Sequence, residues 1–166
     1  GTANSGQFCY RVNRIYVERA VYDDFLEKLT AKISALTLAP AGGKGDLGPI
    51  VNEKIFANSE RQCDDARDKG ARILCGGSRA TGAGYDNGFY FPPTILADVT
   101  DDMLVLQRET FGPVLGICAV DSAHGALERA NNSEYGLAGF VFCRDLAKGI
   151  MLCEGLESGL VWLNDI

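Results

Sequence analysis

The 166-residue chain is 46% hydrophobic and acidic, with a net charge of −6 and a pI near 4.8. A chain of this length can bury a core of its own, and the acidic balance argues against a nucleic-acid partner. No run approaches the roughly 20 apolar residues that cross a membrane, and no signal peptide opens the chain. The composition therefore predicts a globular domain with neither a nucleic-acid nor a membrane partner.

The first half of the sequence predicts a short strand, two helices and a second strand. Residues 15–17 form a β-type run, and apolar residues at steps of three and four predict an amphipathic helix over 21–38. Asn52 is a suitable N-cap for a second helix that reaches about residue 69, where a glycine ends it. Arg72–Cys75 then reads as a strand.

The second half alternates strands and helices after a glycine-rich surface connection at 76–88. The predicted elements are an extended segment at 89–96, a buried strand at 114–120, a helix at 122–131, a strand at 138–143, a helix at 146–157 and a last strand at 160–163. Such alternation implies right-handed crossovers. We therefore expect a single α/β domain over residues 1–166, with a largely parallel sheet flanked by helices.

The cysteines predict reduced thiols and no metal site. No two of them form a C-x-x-C pair, and His124 is the only histidine, so the ligand spacing of a zinc site is missing. Cys118 and Cys143 fall within apolar runs, and we expect both to be buried and inert. A domain that is not a small, cysteine-dense secreted type favours a reducing compartment, which predicts a cytoplasmic protein.

Residues 4–9, Asn-Ser-Gly-Gln-Phe-Cys, set one cysteine in a loop just ahead of Arg14 and the first strand. A thiol nucleophile must ionise, and a neighbouring backbone N–H can hold the developing oxyanion. With the Asn-Arg step and hydrophobic strand that follow, the pattern resembles the nucleophile segment of the aldehyde dehydrogenase superfamily. The resemblance implies that Cys9 attacks an aldehyde to form a thiohemiacetal, that hydride passes to NAD(P)+, and that water releases the acid from a thioester.

A second segment, Arg-Glu-Thr-Phe-Gly-Pro-Val at 108–114, resembles the Glu-x-Phe-Gly-Pro segment of the same family. The resemblance implies that Glu109 accepts hydrogen bonds from ribose hydroxyls and that Phe111 packs on the nicotinamide ring of NAD or NADP. Without the resemblance, the Gly-Pro step would read as a turn between strands. Further segments in family order, at 48–51, 91–96, 130–138 and 159–164, extend the resemblance over the whole chain.

The resemblance also implies a small-molecule aldehyde substrate, with Phe8 and Tyr10 shaping its pocket on either side of the nucleophile. Semialdehydes and aliphatic aldehydes are both compatible, and the choice between NAD and NADP stays open. Transfer of the acyl group to coenzyme A is an alternative to hydrolysis, although the Gly-Gln-x-Cys form resembles the hydrolytic members more. The parent enzyme is expected to be a homodimer or homotetramer.

Family chains are longer than this one, and the resemblance implies that several parts lie outside residues 1–166. These are the cofactor-binding domain, the Glu general base, the Asn of the oxyanion hole and the oligomerisation strand. We therefore expect a catalytic domain with little activity alone, since loss of a general base costs about 10² to 10⁴ in rate. The alternative is a non-catalytic interaction or structural module on the same scaffold. The presence of Cys9 in its Gly-Gln context argues against this alternative.

Two single residues and the last strand receive structural interpretations. Arg14 is expected to anchor a nearby carboxylate or backbone carbonyl, and Trp162 is expected to lie in the core. The last strand, 160–163, is apolar, and we expect it to form an exposed edge that favours association.

Overall fold

The computed structural model describes residues 1–40 and 42–165. A short 3-10 turn at Ala3–Gly6 precedes the regular elements. In chain order these are β1 (Arg14–Glu18), α1 (Arg19–Ser34), α2 (Glu53–Asp68), β2 (Arg72–Cys75), β3 (Thr94–Ala97), α3 (Leu104–Gln107), β4 (Val114–Val120), α4 (Ala123–Asn131), β5 (Ala138–Val141), α5 (Leu146–Gly155) and β6 (Leu160–Leu163).

The strands form two sheets, and most of their pairings are parallel. The larger sheet has the order β1-β4-β3-β2, in which β4 pairs in parallel with both β1 and β3, while β2 is an antiparallel edge strand. The smaller sheet is the parallel pair β5-β6. The predicted α/β class and largely parallel pairing are confirmed. The division into two sheets was not predicted.

The larger sheet is covered on both faces. Tyr22 and Leu26 of α1 pack in one cluster with Ile117 of β4. Phe56 of α2 packs in the other cluster with Cys118, the next residue along the strand. Because successive strand residues point to opposite faces, a strand buried on both faces reads as one continuous apolar run. That explains why the bounds of β4 could be predicted.

The predicted helix starts are correct at α2 and α4. The Asn52 side chain accepts a hydrogen bond from the Ile55 N–H at 3.0 Å, and Ser122 accepts one from the Gly125 N–H at 3.1 Å. The predicted end of α1 is wrong, because the helix stops at Ser34 instead of residue 38. The Thr37 N–H donates to the Asp46 carboxylate at 2.8 Å, which draws the chain into a different turn.

Helix α3 was not predicted, because four residues are too few to show a periodicity. Its first amide, Leu104 N–H, donates to the Asp65 carboxylate of α2 at 2.7 Å, a contact between distant parts of the sequence. Cys143 was predicted to be buried but is only half-buried, because β5 ends two residues before it. Cys118 is buried as predicted.

All six cysteines are free thiols. In the part of the chain that the structure describes, no helix combines the length and the apolar character that a membrane crossing requires.

Candidate active site

The cysteine at position 9 lies on a loop of unusual backbone conformation, which we call the nucleophile loop (residues 3–13). Asn4, Ser5 and Gly6 all have left-handed φ values, of 49°, 54° and 74°. Side chains fix this turn to the segment before α2. Ser5 Oγ donates to the Gly48 carbonyl at 2.8 Å, and Gln7 Oε1 accepts from the Val51 N–H at 2.9 Å. Cys9 itself is exposed.

The nucleophile loop packs directly on residues 109–113, which we call the cofactor segment. A Cβ added to Gly6 would overlap the carbonyl group of Gly112, and one added to Gly112 would overlap Ser59 Oγ of α2. Helix α2, the cofactor segment and the nucleophile loop therefore form three layers in close contact. The two family-like segments, about a hundred residues apart in sequence, meet in the fold.

Helix α2 holds the backbone of the cofactor segment. Asn58 donates to the carbonyls of Glu109 and Thr110, each at 3.1 Å. The fully buried Gln62 donates to the Glu109 carbonyl at 3.3 Å and accepts from Thr110 Oγ1 at 2.7 Å. From the opposite side, the Tyr135 hydroxyl accepts from the Glu109 N–H at 3.3 Å. Asn58 and Gln62 were not predicted as site residues, although a polar residue among the apolar positions of an amphipathic helix is a usable signal.

Glu109 has a fixed backbone but an unengaged side chain. It is exposed, and within residues 1–40 and 42–165 no hydrogen bond or ion pair reaches its carboxylate. Phe111 is half-buried with φ of 53°, a conformation that is uncommon for a bulky side chain and is often found at functional sites. An exposed, unpaired acceptor on a rigid backbone fits the binding of hydroxyl groups.

Arg11 anchors the far end of the nucleophile loop. Its guanidinium is buried and donates to the Val114 carbonyl at 2.6 Å and to Asn13 Oδ1 at 2.7 Å. Burial lowers the pKa of Arg11 to about 10, and the negative charge of Glu109 acts in the opposite direction. Because no carboxylate contacts the guanidinium among the described residues, backbone and amide oxygens compensate for its desolvation.

Aromatic rings extend from the nucleophile loop to the small sheet. Phe8 and Tyr10 meet edge to face at 5.2 Å between centroids, Tyr10 lies 6.3 Å from Trp162, and Trp162 stacks on Phe140 at 4.9 Å. Half of the Tyr10 surface is exposed. Trp162, expected in the core, is only half-buried because it sits at this boundary. We call these four residues the aromatic cluster.

The remaining polar candidates have structural roles. Arg14 donates to the Ala130 carbonyl at 3.2 Å, which confirms its predicted role as an anchor. Burial raises the pKa of both Cys63 and Cys118 to about 12, so these thiols stay protonated and unreactive at neutral pH. No group of three or more potential metal ligands occurs among the residues described by the structure.

The fold and site define an α/β domain with an exposed thiol on one loop, which packs against the backbone of a segment that carries an exposed carboxylate and an aromatic residue. Comparison with known proteins identifies the class more closely. The chain belongs to the aldehyde dehydrogenase family, whose sequence profile matches residues 1–166. The resemblance of the whole chain to this family is thereby confirmed.

The relatives are named as dehydrogenases and are longer than this chain. Succinate-semialdehyde dehydrogenase [NADP(+)] GabD of Escherichia coli is 39% identical over 97% of this chain and 33% of its own length. Human mitochondrial aldehyde dehydrogenase is 36% identical over 97% of this chain and 31% of its own. The structure of a Mycobacterium tuberculosis aldehyde dehydrogenase complexed with NAD+ is similar to the whole of this chain, with a TM-score of 0.91 and 36% identity, and the chain covers 34% of it. The chain thus spans about a third of the length of these relatives.

Proposed function

We propose that this chain carries the nucleophile and one wall of the cofactor site of an NAD(P)-dependent aldehyde dehydrogenase. The observation that most directly supports this proposal is the backbone contact between Gly6 and Gly112. It joins the loop of Cys9 to the segment of Glu109 and Phe111. A thiol and a cofactor-binding segment must be adjacent if hydride is to leave a carbon bound to that thiol.

Cys9 is proposed as the catalytic nucleophile. Its thiolate attacks the aldehyde carbonyl carbon, forming a C–S bond and a thiohemiacetal. Loss of hydride and of the hydroxyl proton turns that adduct into a thioester, and water then cleaves the C–S bond to release the carboxylic acid and the thiol. Exposure of Cys9 on an anchored loop supports this role, because a nucleophile needs both access and orientation.

Glu109 and Phe111 are proposed to bind the nicotinamide half of NAD or NADP, which accepts the hydride when bound. The free carboxylate of Glu109 on its hydrogen-bonded backbone supports hydrogen bonding to ribose hydroxyls, and Phe111 supplies a half-buried aromatic ring two residues further on. Relatives that use NADP+ or are complexed with NAD+ support both cofactors as candidates.

Phe8 and Tyr10 are proposed to line the aldehyde pocket, with Trp162 behind Tyr10. Rings beside the nucleophile would exclude water from the substrate's carbon chain and favour an apolar substituent. Six free thiols support a reducing, cytoplasmic location. The parent enzyme is proposed to be a homodimer or homotetramer, and exposed apolar residues on the small sheet support this.

The test is whether an aldehyde protects Cys9 from alkylation. The chain is treated with iodoacetamide, with and without a millimolar apolar aldehyde, and labelling is located by peptide mass spectrometry. We expect Cys9 to be labelled first, in a stoichiometric and pH-dependent reaction, and to be protected by the aldehyde. At ten times the concentration that half-occupies Cys9, the aldehyde should lower the alkylation rate about tenfold, because the thiohemiacetal has no free thiol to alkylate.

The matched control is the Cys9→Ser, Ala83→Cys double variant, which places the only exposed thiol in the 76–88 surface loop. An exposed thiol without a site should show little protection at the same aldehyde concentration. Equal protection of both thiols, or none of Cys9, would contradict the proposed function and favour the non-catalytic module.

A further inference from the structure

We propose that Asn13 is a positioning residue that couples the nucleophile loop to the cofactor segment. The inference rests on the proposed function, since it assigns a role within that same site. Asn13 does not touch the reacting atoms. It acts through the backbone that carries Cys9 on one side and Glu109 and Phe111 on the other.

The acceptor end of the Asn13 amide bridges these two segments, and its donor end bonds α3 and the residue after it, which orients the side chain. Its Oδ1 accepts from the Thr110 N–H at 3.1 Å and from the Arg11 guanidinium at 2.7 Å. Its Nδ2 donates to the carbonyls of Val105 at 3.1 Å and Arg108 at 3.3 Å. An amide whose donor and acceptor ends are both engaged has a fixed orientation, so the two segments cannot shift independently without breaking these bonds.

The positions of the bonded groups make this bridge relevant to catalysis. Thr110 lies between the two proposed cofactor residues, and its N–H is the atom that Asn13 holds. Arg11 lies two residues after Cys9 and is itself fixed to the Val114 carbonyl at the start of β4. Asn13 therefore provides a side-chain connection between the loop of Cys9 and the cofactor segment, in addition to the direct Gly6–Gly112 contact.

The fold contains a matched amide bridge outside the site. Asn131 donates to the Gly155 carbonyl at 2.8 Å and accepts from the Glu157 N–H at 3.0 Å, which ties the end of α4 to the end of α5. Removing the Asn131 side chain should cost stability in a similar way, because it also breaks a two-ended bridge. It should not alter the effect that a substitution in the cofactor segment has on the alkylation rate of Cys9.

The experiment is a double-mutant cycle on the alkylation rate of Cys9 by iodoacetamide, measured on the 166-residue chain. Thr110→Val perturbs the cofactor segment, because it removes the hydroxyl that bonds Gln62 and keeps the side-chain shape. We expect Thr110→Val to change the Cys9 rate by about threefold or more in the wild-type background and by less than about 1.5-fold in Asn13→Ala. In Asn131→Ala the effect should equal the wild-type effect.

A further variant distinguishes the acceptor bonds of the amide from its donor bonds. It also replaces Asn13→Ala in the experiment if that variant does not fold. Asn13→Asp keeps an acceptor for Thr110 and Arg11 and loses the two donor bonds. Its response to Thr110→Val should fall between those of the wild type and Asn13→Ala, because the donor bonds that orient the side chain are lost, and an undiminished response would overturn the role of Asn13. Circular dichroism confirms that each variant is folded at the assay temperature.

The outcomes separate this inference from the proposed function. Failure of the aldehyde to protect Cys9 would count against the proposed function itself. Protection of Cys9 combined with an undiminished Thr110→Val effect in Asn13→Ala would overturn the role of Asn13 and assign the coupling to the Gly6–Gly112 contact. Absence of any Thr110→Val effect in the wild type, or its loss in Asn131→Ala, would also overturn it.

Discussion

Gly6 and Gly112 touch through their backbones, and neither position has room for a side chain. Gly6 also has φ of 74°, so it combines a left-handed conformation with a close approach. The two glycines bring the loop of Cys9 against the segment of Glu109 and Phe111. The glycines of both family-like segments therefore serve the contact between the segments as well as their own turns.

Gly6→Ala should displace the nucleophile loop from the cofactor segment. The new Cβ would meet the Gly112 backbone, which cannot move aside like a flexible side chain, and alanine is strained at this φ. We expect a loss of about 2–4 kcal/mol in the free energy of unfolding, together with a changed Cys9 alkylation rate. Urea unfolding followed by circular dichroism measures the first effect.

Gly70→Ala is the control for Gly6→Ala. Gly70 has φ of 92°, and nothing lies within 4 Å of a Cβ built there, so this substitution tests backbone strain alone. It should cost about 1 kcal/mol and leave Cys9 reactivity unchanged. Equal losses for the two substitutions would show that the Gly6–Gly112 contact contributes nothing beyond conformation.

Features set by neighbours in sequence could be predicted. The helix starts at Asn52 and Ser122 depend on a side chain that bonds an amide three residues ahead, so the sequence carries the whole interaction. Strand β4 could be predicted because burial on both faces leaves an uninterrupted apolar run. The proposed nucleophile and cofactor residues were identified through the family resemblance, since each segment alone also fits a turn.

Features set by distant residues could not be predicted. Asn13 bonds partners 92 to 97 positions away, and Gln62 bonds residues 47 and 48 positions away. One sequence contains no signal that pairs such positions. The end of α1 was predicted wrongly for the same reason. The competing turn depends on Asp46, which is nine residues beyond its partner Thr37.

The buried thiols predict how stability changes with pH. Burial raises the pKa of Cys63 and of Cys118 to about 12 in the folded chain, above the ordinary value of 9.0. Below pH 9 both states keep these protons. Above it the unfolded chain releases protons that the folded chain retains, so the free energy of unfolding falls with rising pH, by up to about 1.4 kcal/mol per thiol per pH unit.

Cys118→Ala should therefore make the fall in the free energy of unfolding shallower above about pH 9, by up to about 1.4 kcal/mol per pH unit. Urea unfolding under reducing conditions measures the slope. Val105→Ala removes a buried, non-titrating side chain from the same core cluster and serves as the control. It should lower stability at every pH without altering the slope, and an unchanged slope in Cys118→Ala would contradict the prediction.

The aromatic cluster predicts an optical signal for aldehyde binding. Trp162 is the only tryptophan in the chain, and its ring lies 6.3 Å from that of Tyr10, the residue that follows Cys9. In a Cys9→Ser background, where the thiol adduct cannot form, an aromatic aldehyde should still bind and change Trp162 emission. Tyr10→Ala should raise the half-saturating concentration about threefold to tenfold, because a ring contact is lost.

The control for Tyr10→Ala is Phe142→Ala, which removes an exposed ring just after β5. It should leave the titration unchanged. A semialdehyde that carries a carboxylate should bind more weakly than the aromatic aldehyde, because the cluster presents rings without a cationic partner among the described residues. Equal affinity for the two aldehydes would remove the argument for an apolar substituent.

The small sheet predicts concentration-dependent association. In the described part of the chain β6 pairs only with β5, and Leu160 at its start is 53% exposed. Nearby on the small sheet and α5, further large apolar side chains are exposed, namely Phe142, Leu146, Ile150 and Met151. An unpaired apolar edge is a template for strand pairing between chains, so light scattering should detect dimers or larger species as the concentration rises.

Leu160→Lys should reduce that association, because a charge on an edge strand opposes pairing with a second copy. Val51→Lys is the control, since Val51 is 73% exposed but lies in the segment before α2, away from the small sheet. The two variants gain the same charge, so a difference between them reports the location of the contact. A wild-type chain that stays monomeric at high concentration, or equal effects of the two lysines, would contradict association through β6.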